Sequence, residues 1–339
     1  MRICIWGDNH WAQYSSIVRK RGQKYSLRLE NSIQSLNWAE QMAVAKNCDI
    51  IVCLGDFFDQ PTLNAEEITA LKEIQWSNIP KYFIVGNHEM GRSDLAYSSA
   101  HLFKYIPKAN VISTLTRMVL NDFDDIFFVP YILEENRNEM SRMFGLKTGK
   151  RYVFSHNDIK GIQMGRIISP QGFELSDIQN SCDWFFNGHI HNGSQVANRV
   201  INVGNLTGQN FSEDAFKYSH DLLVFDTQTD YCEVYENPYA FNFYKVSYPY
   251  DFTKLKNNSI ITVSVDADKA EICKKVIQDS PNILEYRLVV NTVMPTVHKS
   301  DVKSLSLDHI DEFKKYVLEN IGNDEIVQSE LLNIFNGGM

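Results

Sequence analysis

The chain has 339 residues, 44% of them hydrophobic and 22% charged, with a formal net charge of −9. That length can bury one large core and a smaller one, and the acidic balance excludes a protein that coats nucleic acid or anionic membrane by bulk electrostatics, leaving only a local basic track. The six cysteines show no Cys-x-x-Cys or zinc-finger spacing, no apolar run approaches the roughly 18 residues that span a bilayer, and the N-terminus enters a strand without a signal peptide. The expectation is a protein of a reducing, cytoplasmic compartment.

Residues 2 to 6 form an apolar run that predicts a first, central strand, with Gly7-Asp8-Asn9-His10 as the turn out of it. The polar stretch from Trp11 to Leu29 carries Arg19, Lys20, Arg21, Lys24 and Arg28, interleaved with Trp11, Tyr14 and Tyr25. Such a run is either a solvated face or a contact with a phosphate backbone. Helical spacing of Ile33, Leu36, Ala39 and Ala43 predicts a helix over 30–47. A strand over 50–54 follows, ending in Gly55-Asp56, so the chain opens as a βαβ unit.

Amphipathic helices are expected over 63–75 and 93–106, on either side of the run Tyr82–Val85 and the turn Gly86-Asn87-His88-Glu89. Their apolar positions read as packing on the parent sheet or as a dimer face. Short strands are expected at 111–112, 117–120 and 126–129, and a charged helix over 134–144. The run 152–154 leads into Ser155-His156, and 184–186 leads into Gly188-His189-Ile190-His191. Between them, Lys160 to Gly172 reads as a flap or a long connection. Segments 195–203 and 220–226 are expected to close a second sheet, and Val203 to Glu213 has the composition of a site wall.

Beyond Asn237-Pro238 the pattern is strand, strand (260–265), helix (268–279), strand (284–290), a small α/β unit without a catalytic cluster. A polar linker, 292–304, leads to two amphipathic helices in 305–339, whose apolar stripe must fold back or meet a partner helix.

Five strand ends carry metal-ligand side chains, and five of the nine histidines (His10, His88, His156, His189 and His191) lie on them. The donor set is Asp8, His10, Asp56, Asn87, His156, His189 and His191. Carboxylates, an amide and imidazoles without a thiolate suit a pair of borderline divalent ions such as Mn, Fe or Zn, with Asp56 as the bridge, and point to phosphoester hydrolysis. His189 and His191, two apart on an extended segment, do not share a strand face, so a turn must splay them. His88 is left over for protonating a leaving oxygen.

Asp8-x-His10, Gly55-Asp56-x-x-Asp59, Gly86-Asn87-His88-Glu89, His156 and Gly188-His189-x-His191 resemble, in order, the five motifs of the calcineurin-like metallophosphoesterases, over residues 1 to about 230. The resemblance implies that Asp8, His10, Asp56 and His191 hold one ion, that Asp56, Asn87, His156 and His189 hold the other, and that His88 is the catalytic histidine. Within that superfamily the layout resembles the SbcD-type DNA repair nucleases, above all the shorter members encoded by tailed phages. The fold implied is α/β: a two-sheet sandwich flanked by helices, a small α/β capping domain and a C-terminal helical hairpin. Its parts would be a nuclease domain 1–240, a cap 243–291, the linker 292–304 and an ATPase-binding segment 305–339.

The activity implied is a manganese-dependent nuclease, magnesium being the alternative, that degrades duplex ends and cuts single strands in recombination and double-strand-break repair. Its partners would be DNA, a second copy through the segments 63–75 and 93–106, and an SMC-like coiled-coil ATPase of the SbcC type through 305–336. Arg19, Lys20, Arg21 and Lys24 become candidate DNA contacts. Asp59 departs from the pattern, since many of these nucleases carry a His there. A carboxylate cannot give a phosphate a cationic hydrogen bond, though it can orient His88 or a metal-bound water, so Asp59→His is expected to leave metal binding intact and alter cleavage. The rival readings are a phosphomonoesterase, cyclic-nucleotide phosphodiesterase or protein phosphatase of the same fold, and a non-catalytic interaction module.

Overall fold

Side-chain alternation along the strands sets the layers. In the computed structural model, Ile3, Ile5, Ile50 and Val52 face Ile126, Phe128, Tyr152, Phe154 and Phe186 across a core between two sheets. The intervening Cys4, Trp6, Ile51 and Cys53 face the other way, into a core shared with Leu29, Leu36, Ala39 and Ala43 of the helix Leu27–Ala45. The second sheet alternates likewise: Phe127, Val129, Val153 and Phe185 pack outward on Met140, Phe144 and Ile178 from short helices. Helix, sheet, sheet, helix is the expected sandwich. Truncating a fully buried ring such as Phe128 to alanine would cost about 3–5 kcal/mol.

The structure describes residues 1–164 and 167–291; the predicted linker 292–304 and helices 305–339 lie outside them. Met1–Val290 packs as one unit. The first sheet runs, in spatial order, Tyr231–Glu236, Asp221–Asp226, Arg2–Trp6, Ile50–Cys53, Lys81–Ile84, Ala109–Ile112. The second runs Ser194–Ala197, Val200–Asn202, Trp184–Asn187, Arg151–Ser155, Asp125–Val129, Thr116–Val119. Arg2–Trp6, Ile50–Cys53 and Lys81–Ile84 are parallel, as are Asp125–Val129, Arg151–Ser155 and Trp184–Asn187. Each trio therefore delivers its carboxyl ends to one edge, where open α/β sheets place their ligands.

Four expectations are corrected. Segment 93–106 is not an α-helix: Asp94–Ser98 is a strand paired with Met90–Gly91, and Ser99–Tyr105 is a 3₁₀ turn. Arg92 and Ser93, at φ of 55° each, make the hairpin turn that precludes a helix start there. Segment 134–144 breaks into a 3₁₀ turn, Glu134–Asn136, and a short helix, Met140–Phe144, because its charges outnumber the apolar residues that could anchor one face. Asp221–Asp226 joins the first sheet, antiparallel to Arg2–Trp6, rather than the second, and it brings the unpredicted edge strand Tyr231–Glu236 with it. The first helix starts at Leu27 rather than residue 30, because the Ser26 side chain accepts from Leu29 N and caps it.

The helix expected over 63–75 is Ala65–Ala70 and a 3₁₀ turn, Leu71–Glu73, opened by an Asn64–Glu67 capping box. Leu71, Ile74, Leu95, Leu102 and Phe103 pack on the first core, whereas Ile68, Tyr97 and Tyr105 stay exposed. Asn242–Ser247, Ser259–Asp266 and Ile283–Asn291 form a separate three-stranded sheet, which with the helix Ala270–Gln278 has its own core around Ile261, Val263, Cys273 and Ile277. No helix among the described residues is long and apolar enough to cross a membrane.

Candidate metal centre

The strand ends are turned inward by backbone that L-residues rarely adopt. Asp8, His10, Asp56 and His189 sit at φ of 50°, 48°, 46° and 72°, so four of the seven proposed ligands are in the left-handed region, a cost typical of functional sites. Backbone bonds fix the turns: Asp8 N donates to Gly55 O at 3.0 Å and His10 N to Asp56 O at 2.9 Å. A Cβ at Gly55 would lie 2.3 Å from His156 Nδ1, and one at Gly86 would lie 2.1 Å from Asp56 Oδ1. The glycines before Asp56 and Asn87 therefore make room for ligands.

Both sheets contribute to one site. His156 Nδ1, from the second sheet, donates to Leu54 O of the first at 2.6 Å, and His189 N donates to the Asp8 carboxylate at 2.9 Å. Ligand atoms of Asp8, His10 and His191 lie within 4.8 Å of one another, as do those of Asp56, His156 and His189, and those of His10, Asp56 and His88. Asn87 Oδ1 lies 3.1 Å from His156 Nε2 and 2.9 Å from His189 Nδ1. All seven expected ligands are thus brought together, and the left-handed His189 is the turn that splays it from His191.

The outer nitrogens explain how the rings are held. His10 Nδ1 donates to Asp59 at 2.9 Å, His191 Nδ1 to Glu213 at 3.0 Å and His189 Nε2 to Asp158 at 3.2 Å. Each bond fixes a tautomer whose free nitrogen faces the centre, the arrangement of carboxylate-backed metal histidines. His10 Nε2 and His191 Nε2 then face each other at 3.0 Å. At that distance either one ring carries a proton for the other or both turn their lone pairs on a shared cation.

The charge balance points the same way. Burial pushes the Asp56 carboxyl up, but His156, His10 and His88 together outweigh it and hold it well below the usual range. Burial pushes the His156 imidazole down, yet Asp56 and Asp8 pull it up to about 9. Burial pushes His10 down, only partly opposed by Asp59. The buried Asp56 and Asp8 thus draw a proton onto His156 for want of positive charge, which a divalent cation would supply. The residues fit divalent cations.

Asp158 and Glu213 were missed as supports. Glu213 lies in the stretch read as site wall, and Asp158 follows His156 by two; a carboxylate so near a ligand histidine was the available signal. Asp59 proves to serve His10 first, while His88 Nδ1 is 3.1 Å from the Asp59 backbone oxygen and 3.6 Å from its carboxylate. Asp59→His would therefore remove a ligand's support, which revises the expectation that metal binding would be untouched. His88 N donates to Asp56 Oδ1 at 2.9 Å, and the ring stays 42% exposed at the rim. Two adjoining hollows of about 280 and 310 Å³ meet at His88 and His191, and Met164 of the 160–172 connection lines the first.

The basic run divides. Arg21 pairs with Glu66 at 2.9 Å and Lys24 with Glu73. Arg19 Nε donates to Ser16 O, and Lys20 Nζ to Leu284 O. Buried Arg28 braces the loop from behind, donating to Gly208 O, Asn9 O and His10 O.

A two-sheet sandwich with imidazole and carboxylate clusters at its joined carboxyl edges defines a metal-dependent phosphoesterase. The family model described as calcineurin-like phosphoesterase matches residues 1–193, and the chain belongs to that family. It is 25% identical over 301 residues to the DNA double-strand break repair protein Mre11 of Methanococcus maripaludis, covering 84% of this chain and 71% of the relative. Among solved structures it is similar to a dimetal phosphatase from Danio rerio (14% identity, 66% of this chain and 91% of that one, TM-score 0.42). It is also similar to a protein of Thermus thermophilus (11% identity, 69% and 98%, TM-score 0.42). At those values the two structures add nothing to the assignment.

Proposed function

We propose that the chain is a DNA nuclease of the double-strand-break repair kind. The supporting observation is that the alignment with the archaeal repair protein spans 301 residues, well past residue 193 where the family match ends and so into the small three-stranded unit. Asp8, His10, Asp56 and His191 would hold one ion, and Asp56, Asn87, His156 and His189 the other; manganese is the proposed metal. Such a pair, when bound, clamps a phosphate and activates water for in-line attack. The chain's own work is to aim the ligands through Asp59, Asp158 and Glu213, and to protonate the leaving oxygen from His88, whose rim position leaves it reachable.

The proposed division is a nuclease body, 1–240, and a cap, 243–291, with 305–336 binding an SMC-like ATPase in the cytoplasm. Exposed Ile68, Tyr97 and Tyr105 favour pairing of two copies through 63–75 and 93–106. A small-phosphodiester enzyme is the second reading, favoured by the ion pairs that occupy Arg21 and Lys24.

Degradation of linear duplex DNA with Mn, beside an Asp56→Asn control, tests the first reading. Metal-dependent cutting absent from the control supports it. Hydrolysis of an aryl phosphodiester without DNA cleavage, even with the ATPase and ATP, selects the second. Deleting 305–339 is expected to abolish ATPase association while basal phosphodiesterase activity persists; activity lost with the deletion would make that segment part of the core.

A further inference from the structure

Arg19, Lys20 and Arg287 have no carboxylate partner for their side-chain charge among the described residues, unlike Arg21 and Lys24. The carboxylate beside them is Glu285, on the strand Ile283–Asn291, and its Oε1 accepts from two consecutive backbone N–H groups, Arg19 N at 3.1 Å and Lys20 N at 3.0 Å. Successive amides turned on one oxygen make an anion-binding concavity. Here the anion is a side chain, at solvent-exposed contacts, so exchanging it for another anion needs little desolvation.

The seat opens on a cavity of about 560 Å³ that Arg19, Glu285, Tyr286 and Arg287 line with Ser16 and Ile17. Ser16 and Ile17 also line the 310 Å³ hollow that holds His10, His88 and His191. The two hollows thus adjoin at Ser16 and Ile17, between the metal centre and the seat, and Tyr286 lines the second as a ring on which a base can stack.

We propose that the Arg19 and Lys20 amides, with the side chains of Arg19, Lys20 and Arg287, form a backbone-phosphate subsite for a nucleic-acid strand running from the metal centre, and that the Glu285 carboxylate fills it in the free protein. This rests on the nuclease reading. A strand phosphate displaces Glu285 and loosens its hold on the Arg19–Lys20 segment, so the contact doubles as a brake on strand entry.

The test is fluorescence-anisotropy binding of a labelled single-stranded oligonucleotide to the full chain, across a salt series in Ca²⁺, for wild type, Glu285→Gln and Lys20→Glu. Glu285→Gln is expected to bind about threefold to tenfold tighter, with a log–log salt slope steeper by about 1, and Lys20→Glu to bind weaker with a flatter slope. Those shifts support the subsite whether or not the wild type cuts DNA. A wild type that cuts DNA beside two variants that bind as it does overturns the subsite alone. If no variant binds and the wild type does not cut, both readings fall. Should Glu285→Gln melt below wild type and bind no tighter, Lys20→Glu decides: unchanged affinity and slope overturn the subsite.

Discussion

The two ligand clusters are built from the same residue types but backed differently. Around His10 and His191 both imidazoles rest on carboxylates, Asp59 and Glu213, and Asp59 is 37% exposed. Around His156 and His189 one ring rests on a peptide oxygen, Leu54 O, and the other on Asp158, which is only 7% exposed. A carbonyl acceptor is part of the sheet and cannot be lost by substitution or titration. A carboxylate acceptor strengthens its imidazole as a donor to a cation but answers to its surroundings. The first cluster is the adjustable half of the site and the second the fixed half.

Asp56 Oδ2 lies 3.1 Å from His156 Nε2 and 3.9 Å from His10 Nε2, so Asp56→Asn, at the proposed bridge, is the variant that ignores the comparison. It is expected to lower aryl phosphodiester hydrolysis more than about 10⁴-fold, since it removes the proposed bridging carboxylate; activity retained within tenfold would mean the clusters work separately. His88 is in neither proposed ligand set. His88→Gln should keep the metal content and lose about 10²–10⁴-fold in rate, with a smaller loss for an aryl ester than for DNA because a nitrophenolate leaves without protonation. An equal loss on both substrates would remove the general-acid role.

The backing groups sharpen the contrast. Asp59→Asn and Asp158→Asn are each expected to weaken metal binding by about 10–100-fold, measured by metal titration. Asp158→Asn should leave His156, tied to Leu54 O, as a working ligand in its cluster, whereas Asp59→Asn takes the carboxylate support from His10. Asp59→His is expected to resemble Asp59→Asn in metal affinity. Equal and negligible losses would show that ring orientation comes from packing rather than from these bonds.

Much of this site was legible because each ligand follows an apolar run, and a run ending in Gly-Asp or Gly-Asn-His marks a strand edge without any knowledge of pairing. Asp8, Asp56 and Asn87 needed only that local signal. Glu213 did not have it: it ends an irregular turn between the strands Val200–Asn202 and Asp221–Asp226, and only the fold brings it under His191. The strand Asp221–Asp226 was seen but assigned to the wrong sheet, because its apolar run fits either sheet and the choice is made by pairing with Arg2–Trp6. Segment 93–106 failed for a local reason, as apolar spacing suggested a helix while the Arg92-Ser93 turn imposed a hairpin.

Glu213 also offers the finest test of the adjustable half. Burial pushes its carboxyl up, but the His191 hydrogen bond and charge outweigh that and hold it at about 2, against an ordinary 4.5. A carboxyl depressed by folding stabilises the protein fully above its unfolded pKa and loses that contribution as pH falls toward the folded one. The metal-free wild type should therefore exceed Glu213→Gln in stability at pH 6, by on the order of 3 kcal/mol at most. The difference should shrink by about 1 kcal/mol per pH unit below about pH 4.5, as read from urea midpoints. A difference that stays constant across that window would mean that the contact with His191 works as a neutral hydrogen bond. The carboxylate would then contribute shape rather than charge.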